Sequence, residues 1–223
     1  HTGAGKSTPA EYAIAKALSE KKRVVYLSPI KALSNQKYFD FKRNFDNIGI
    51  LTGDNKISPD ADLIIMTAEI FRNALYRKKW GTLKMDDFDP ELVKYLIIDE
   101  IHYLNDPDRG RVWEEILMLI PKEVHLTMLS ATIDSPEKLA SWIGNHQQKV
   151  TRLITTNFRP VPLEFSFYNG ELVKFNHSTT GWKEGVVNSI QFDKNSKIHQ
   201  INSVLDFLHR KDQLPCIIFI LSK

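Results

Sequence analysis

The chain has 223 residues, of which 42% are hydrophobic, 26% charged and 10% aromatic, with 10 Gly and 10 Pro, a globular composition that excludes disordered, collagenous and low-complexity readings. Its longest apolar run, residues 216–221, falls far short of the ~20 residues a membrane-spanning helix needs, and its one cysteine, Cys216, can form neither an internal disulfide nor a Cys-rich zinc cluster, so a reducing, intracellular compartment is expected. The net charge of +3 is unevenly spread, residues 1–80 carrying 14 basic against 8 acidic side chains and residues 81–223 carrying 16 against 19, so the positive field a polyanion-binding surface requires lies over the N-terminal part.

The chain opens on His1 with neither an initiator methionine nor a basic-then-apolar leader, and is read as a piece of a longer protein. Short β-branched apolar runs then alternate with longer amphipathic ones, which is the pattern of parallel βα units. Helices are predicted over residues 6–19, 31–43, 69–78, 111–119, 136–143 and 198–209. Strands are predicted over 23–27, 49–51, 63–66, 95–99, 125–129, 150–154 and 216–221. The run Tyr95-Leu96-Ile97-Ile98 is apolar on both faces, as a strand covered on both sides by helices must be. A doubly wound α/β sheet follows. Residues 80–90 are polar and read as a loop. Beyond Thr155 the two prolines of Asn157-Phe158-Arg159-Pro160-Val161-Pro162 break any helix. The pattern divides the chain into a first α/β domain over 1–156, a linker with an inserted loop over 157–197, and the start of a second α/β unit over 198–223.

Two sequence elements carry chemistry. His1-Thr2-Gly3-Ala4-Gly5-Lys6-Ser7-Thr8 matches the end of the phosphate-binding pattern G-x-x-x-x-G-K-[ST], with the first glycine position falling before His1. In such a loop glycines let backbone N–H groups surround phosphate oxygens at a helix N-terminus. Residues Thr2 to Thr8 would cradle ATP, Lys6 would reach its β- and γ-phosphates, and Ser7 would ligate Mg²⁺. The second element is the apolar run ending in Asp99-Glu100-Ile101-His102. A carboxylate at a strand's C-terminal end stands where ligands bind in these sheets. Asp99 can therefore hold the metal, directly or through water, and Glu100, aimed differently, can orient or deprotonate the attacking water.

Asp99-Glu100-Ile101-His102 is a DExH box, and Ser130-Ala131-Thr132 resembles the S-A-T motif that follows it in superfamily 2 helicases. Ser28-Pro29-Ile30-Lys31-Ala32-Leu33-Ser34-Asn35-Gln36-Lys37, Thr52-Gly53-Asp54, Met66-Thr67-Ala68-Glu69-Ile70, and Asp108-Arg109-Gly110 with Val112-Trp113-Glu114-Glu115 narrow the resemblance to the Ski2-like group, closest to its Mtr4 and Ski2 exosome RNA helicases. The resemblance implies a RecA-like fold whose first strand precedes the chain. It also implies that Pro29, Lys31, Asn35, Gln36, Thr52, Gly53, Thr67 and Glu69 line a nucleic-acid backbone, and that His102, Ser130 and Thr132 couple the nucleotide to the strand. Hydroxyl, amide and short basic groups at strand-to-helix turns suit sequence-independent phosphate contacts.

The expected activity is therefore ATP- and Mg²⁺-dependent 3′-to-5′ unwinding, on single-stranded nucleic acid that the resemblance makes RNA, in an exosome or other RNA-decay assembly and away from membranes. A Hel308-type DNA helicase, a P-loop NTPase switch acting on a protein partner, and a binding module with a vestigial loop stand as alternatives. The family's adenine-holding segment and second-domain arginine motif fall outside residues 1–223, so the chain by itself is expected not to turn over ATP. Phe219-Ile220-Leu221-Ser222-Lys223 resembles the opening motif of the second RecA-like domain, and residues 170–197 match no family element.

Overall fold

Apolar residues on both faces of the short strands call for helices on both sides, and the computed structural model has that arrangement. It describes residues 5–84, 88–131, 133–156, 158, 164–168, 172–174 and 197–219, which divide into two units, His1–Pro160 and Val161–Lys223.

In the first unit β1 (Arg23–Ser28), β2 (Ile48–Leu51), β3 (Lys56–Ile57), β4 (Leu63–Thr67), β5 (Val93–Ile98) and β6 (His125–Met128) form one sheet in the order β3-β2-β4-β1-β5-β6. Every pairing is parallel except that of β2 with β3. The helices are α1 (Ser7–Ser19), α2 (Lys31–Phe41), α3 (Ala68–Lys79), α4 (Gly110–Leu119) and α5 (Pro136–Gln147). Side-chain alternation sorts them into two layers. Val24 and Tyr26 of β1, with Leu63, Ile65 and Ile97, pack against Ala10, Ile14 and Ala17 of α1 and Tyr38 and Phe41 of α2. Val25 and Leu27, with Ile64, Met66, Leu96 and Ile98, pack against Phe71 and Leu75 of α3 and Trp113, Ile116 and Leu117 of α4. The fully buried β1 residues Val24, Val25 and Leu27 each contribute roughly 1.5–3 kcal/mol.

The helices predicted over 6–19, 31–43, 69–78, 111–119 and 136–143 match α1 to α5 within a few residues at their ends, as frayed termini allow. The strands differ in four places, the last of them a pair in the second unit. β3 is a two-residue antiparallel edge, too short for periodicity to reveal; its return passes so close to β2 that a Cβ on Gly49 would collide with the Ser58 carbonyl. Residues 150–154 form no strand. After the left-handed Gln148 cap the backbone bonds back to α5, Lys149 N–H to the Gly144 carbonyl at 3.1 Å. Thr151 lies against Gly144, and Val150 and Ile154 remain 93% and 91% exposed, so the β-branched run buries neither face. Residues 216–219 likewise form no strand, and the rest of that predicted strand lies outside the described residues.

In the second unit the predicted linker contains an antiparallel pair, β7 (Ser166–Tyr168) with β8 (Leu172–Lys174). The helix predicted over 198–209 is α6 (Lys197–Arg210). The Tyr168 hydroxyl lies 2.9 Å from Ser203 Oγ, and its ring contacts Phe207 of α6. Among the described residues no helix is long and apolar enough to cross a membrane, and no group of His, Cys, Asp and Glu could by itself hold a metal ion.

Candidate functional site

Parallel register brings the chemistry-bearing segments to one edge of the sheet. Ser28 stands opposite Thr67, Leu27 opposite Ile98, and Ile98 opposite Met128. The segments that follow these strands therefore leave side by side: Pro29 to Lys31 after β1, Thr52 to Asn55 after β2, Asp99 to His102 after β5, and Ser130 after β6. Backbone bonds stitch them together, Asp99 N–H to the Leu27 carbonyl and Ile101 N–H to the Leu129 carbonyl, both at 2.9 Å.

Lys6 lies in the described part of the candidate phosphate loop, behind Gly5, whose φ of +76° is one that glycine adopts without strain. Lys6 Nζ lies 3.7 Å from Glu100 Oε2, and His102 Nδ1 lies 3.2 Å from the same oxygen. Neither contact has hydrogen-bond geometry. Lys6 Nζ, Glu100 Oε2, His102 Nδ1 and Ser130 Oγ are enclosed and have no hydrogen-bond partner among the described residues. A buried polar atom left unpaired costs about 1–3 kcal/mol, so such a group gathered at one sheet edge is what a polar ligand would satisfy. The Lys6 ammonium, the Ser130 hydroxyl and the Glu100 carboxylate, with the Asp99 carboxylate one residue before it, are a set of groups that fits a polyphosphate with its Mg²⁺. Residues Thr2, Gly3, Ala4 and Thr132, assigned to this site from the sequence, lie outside the described residues.

Asp99 and Glu100 are neighbours in different surroundings because the backbone turns between them. Glu100 is left-handed, with φ +53°, a conformation that costs a non-glycine residue of order 1–3 kcal/mol. Asp99 is 8% exposed and held at both oxygens: Oδ2 accepts from the Tyr26 hydroxyl at 2.5 Å, and Oδ1 accepts from Glu100 N–H at 3.0 Å. Burial, reinforced by the Asp99 charge, pushes the Tyr26 hydroxyl above its ordinary range, which keeps it protonated and donating. Tyr26→Phe is expected to destabilise the fold by about 1–3 kcal/mol, because a buried carboxylate loses a donor. Urea unfolding reads this, and an unchanged unfolding free energy would show that the hydroxyl does not hold Asp99.

A second polar group lies on α2 and the β2–β3 turn. Lys31 Nζ pairs with Asp54 at 2.6 Å and lies over Gly53, where a Cβ would come within 3.2 Å of it. The Asn55 amide donates to Asn35 Oδ1 at 3.3 Å, and Thr52 Oγ1 accepts from Asn55 N–H at 3.1 Å. Lys31, Asn35, Thr52 and Gly53 are thus brought together. Gln36 is exposed and free to reach outward, Thr67 is buried as the cap residue of α3, and Glu69 is half-buried in its first turn. Pro29 is buried, so what it offers this edge is its backbone.

Three residues that sequence reasoning did not place make contacts at or beside these clusters, Tyr26 and Lys37 within them and Arg109 bordering them. Tyr26 reads as strand core, and only the fold brings its hydroxyl to Asp99. Lys37, one position beyond Gln36 on α2, donates to Ser7 Oγ at 3.0 Å. Arg109 donates to the Pro29 carbonyl at 3.1 Å; its place in Asp108-Arg109-Gly110 was the available signal.

Residues 1–139 match the model of the DEAD/DEAH box helicase family. The chain is 49% identical over 170 residues to the antiviral helicase SKI2 of Saccharomyces cerevisiae, covering 75% of this chain and 13% of that protein. It is 45% identical over 174 residues to human Superkiller complex protein 2, covering 78% and 13%, and 48% identical over 164 residues to the human exosome RNA helicase MTR4, covering 74% and 15%. It therefore spans only about an eighth to a seventh of these relatives' length. The solved structure of the DUF1998 helicase MrfA bound to DNA and AMPPNP superposes with a TM-score of 0.53 at 22% identity, covering 70% of this chain and 24% of that one. Such a likeness speaks to the fold, which is the RecA-like doubly wound sheet expected from the sequence.

Proposed function

This chain belongs to the DEAD/DEAH box helicase family, and from that premise we propose that it is the ATP-binding part of a motor that travels 3′ to 5′ on single-stranded RNA. The observation that carries the reading is the joint placement, on one sheet edge, of the Lys6–Glu100–His102 cluster and the Lys31–Asn35–Thr52 group. ATP hydrolysis at the first can then be linked mechanically to a strand held at the second. The RNA helicases among the relatives favour RNA over the DNA helicase and protein-switch alternatives, and an RNA-decay assembly as the partner. In this reading residues 1–156 form the nucleotide-binding domain, 157–197 a linker, and 198–223 open a second domain of the same kind.

In this reading Gly5, Lys6, Ser7 and Thr8 hold the phosphates, with Lys6 countering the charge of the β- and γ-oxygens. Ser7 and Asp99 would hold Mg²⁺, which supplies further charge neutralisation on the phosphates. Glu100 takes the proton of the attacking water, with Lys6 and His102 facing its carboxylate, and His102, Ser130 and Thr132 carry the state of the site toward the strand. Pro29, Lys31, Asn35, Gln36, Thr52, Gly53, Thr67 and Glu69 follow the sugar-phosphate backbone without reading bases.

The test is phosphate release by the full-length protein with single-stranded RNA, DNA or neither. RNA-stimulated release is expected, with tolerance of scrambled sequence and log affinity falling against log salt with a slope of about −0.7 per phosphate contacted. Equal stimulation by DNA would favour the DNA motor. Turnover indifferent to both would leave a protein switch.

A further inference from the structure

The segment Asp108-Arg109-Gly110 lies outside the roles assigned above, yet it bridges the two halves of the site. Its backbone is locked: Asp106 Oδ1 accepts from the N–H groups of Asp108 and Arg109 at 3.0 and 2.9 Å, and Gly110 N–H donates to the Asp106 carbonyl at 2.8 Å. Gly110 sits directly against the carbonyl of Leu104, where a Cβ could not fit. Leu104 belongs to the 3-10 turn Ile101–Asn105, which contains His102 and has Glu100 as its cap residue. From this anchored base the Arg109 guanidinium crosses to the Pro29 carbonyl at 3.1 Å. Pro29 precedes Ile30, the cap residue of α2, the helix that carries Lys31, Asn35 and Gln36. One side chain thus ties the turn that opens the strand-binding helix to the turn that holds the hydrolytic acid.

We propose that Arg109 is a positioning residue through which strand binding at the Pro29–α2 turn sets the Glu100–His102 turn for hydrolysis. The proposal rests on the reading of this chain as part of an RNA-stimulated ATPase. The physical case is that the two turns share no other side-chain bridge of this reach among the described residues. Both ends are also stiff, one closed by Asp106 and the Gly110 contact, the other by the Ser28 Oγ to Ser34 Oγ bond at 2.6 Å. Displacement of α2 by a bound strand is then passed through a charged hydrogen bond, the stronger class of such bonds, instead of being absorbed locally. Arg suits the role because its planar head bonds the carbonyl from a rigid fork, whereas Lys offers a single flexible donor.

The test compares the unaltered full-length protein with Arg109→Ala and Arg109→Lys by three readouts: ATP turnover without RNA, turnover at saturating single-stranded RNA, and RNA affinity by fluorescence anisotropy. Arg109→Ala is expected to lower the RNA-saturated rate about tenfold, a common size for coupling between sites, with the RNA-free rate and the RNA affinity unchanged. Arg109→Lys should recover part of the stimulation. Stimulation retained in Arg109→Ala would overturn the proposal. So would a loss explained by weaker RNA binding, which would make Arg109 a strand contact, or an equal fall in the RNA-free rate, which would make it a structural anchor. Absence of RNA stimulation in the unaltered protein would instead overturn the motor reading and this proposal with it, an outcome distinct from a responsive protein indifferent to Arg109.

Discussion

Glu100→Gln in the full-length protein is expected to lower ATP turnover by about 10²- to 10⁴-fold, the usual contribution of a general base, while ATP remains bound. The amide keeps the shape of the side chain and the left-handed turn that aims it, but it cannot accept the proton of the attacking water. It also removes the negative charge that faces Lys6 at 3.7 Å and His102 at 3.2 Å, so nucleotide affinity should hold or rise as Lys6 is freed for the phosphates. Lys6→Ala should separate from it clearly, with binding and turnover falling together because a cation leaves the phosphate site. Turnover and nucleotide binding measured on both variants decide the matter. Near-normal turnover in Glu100→Gln would remove Glu100 from the role of base.

Trp113→Ala should bring the largest loss of stability, about 3–5 kcal/mol as for other buried aromatic deletions, read from the urea unfolding free energy. The indole is 1% exposed and lies in the layer where α4 meets α3 and the sheet. That layer cannot close over the space left behind, since β1, β4 and β5 are fixed by their ladders and α3 is docked through Phe71 and Leu75. A loss below about 1 kcal/mol, more typical of surface positions, would mean that α4 repacks. Residue 113 falls in the Val112-Trp113-Glu114-Glu115 run that supported the family resemblance, so part of that motif serves the fold and not the chemistry.

Much of the first unit was legible in the sequence because its elements obey simple periods. α1 shows Ala10, Ile14 and Ala17 at helical spacing, and β5 is continuously apolar, as a strand covered on both faces must be. Asp99 and Glu100 could be placed from the strand that precedes them. What was not legible depends on partners far apart in the chain. Nothing near Tyr26 in sequence announces a carboxylate 73 residues away, and a Lys beside Gln36 gives no sign of Ser7 on the neighbouring helix. Residues 150–154 have the composition of a strand, but composition supplies no neighbour to pair with, and the cap at Gln148 returns them to α5. The β7–β8 pair was open to discovery: Asn169-Gly170 between two short apolar runs is a strong hairpin signal, obscured by the polar stretch after it.

The left-handed backbone of Glu100 sets evolutionary and engineering limits on this loop. Stability alone would favour glycine at position 100, the residue that adopts φ +53° without strain, and selection for heat resistance without selection for turnover would drift there. Under the role proposed for Glu100, the acid would persist only under selection for hydrolysis. Consensus or stability-guided redesign of the domain should therefore hold position 100 fixed, because here the most stable sequence and the working sequence diverge.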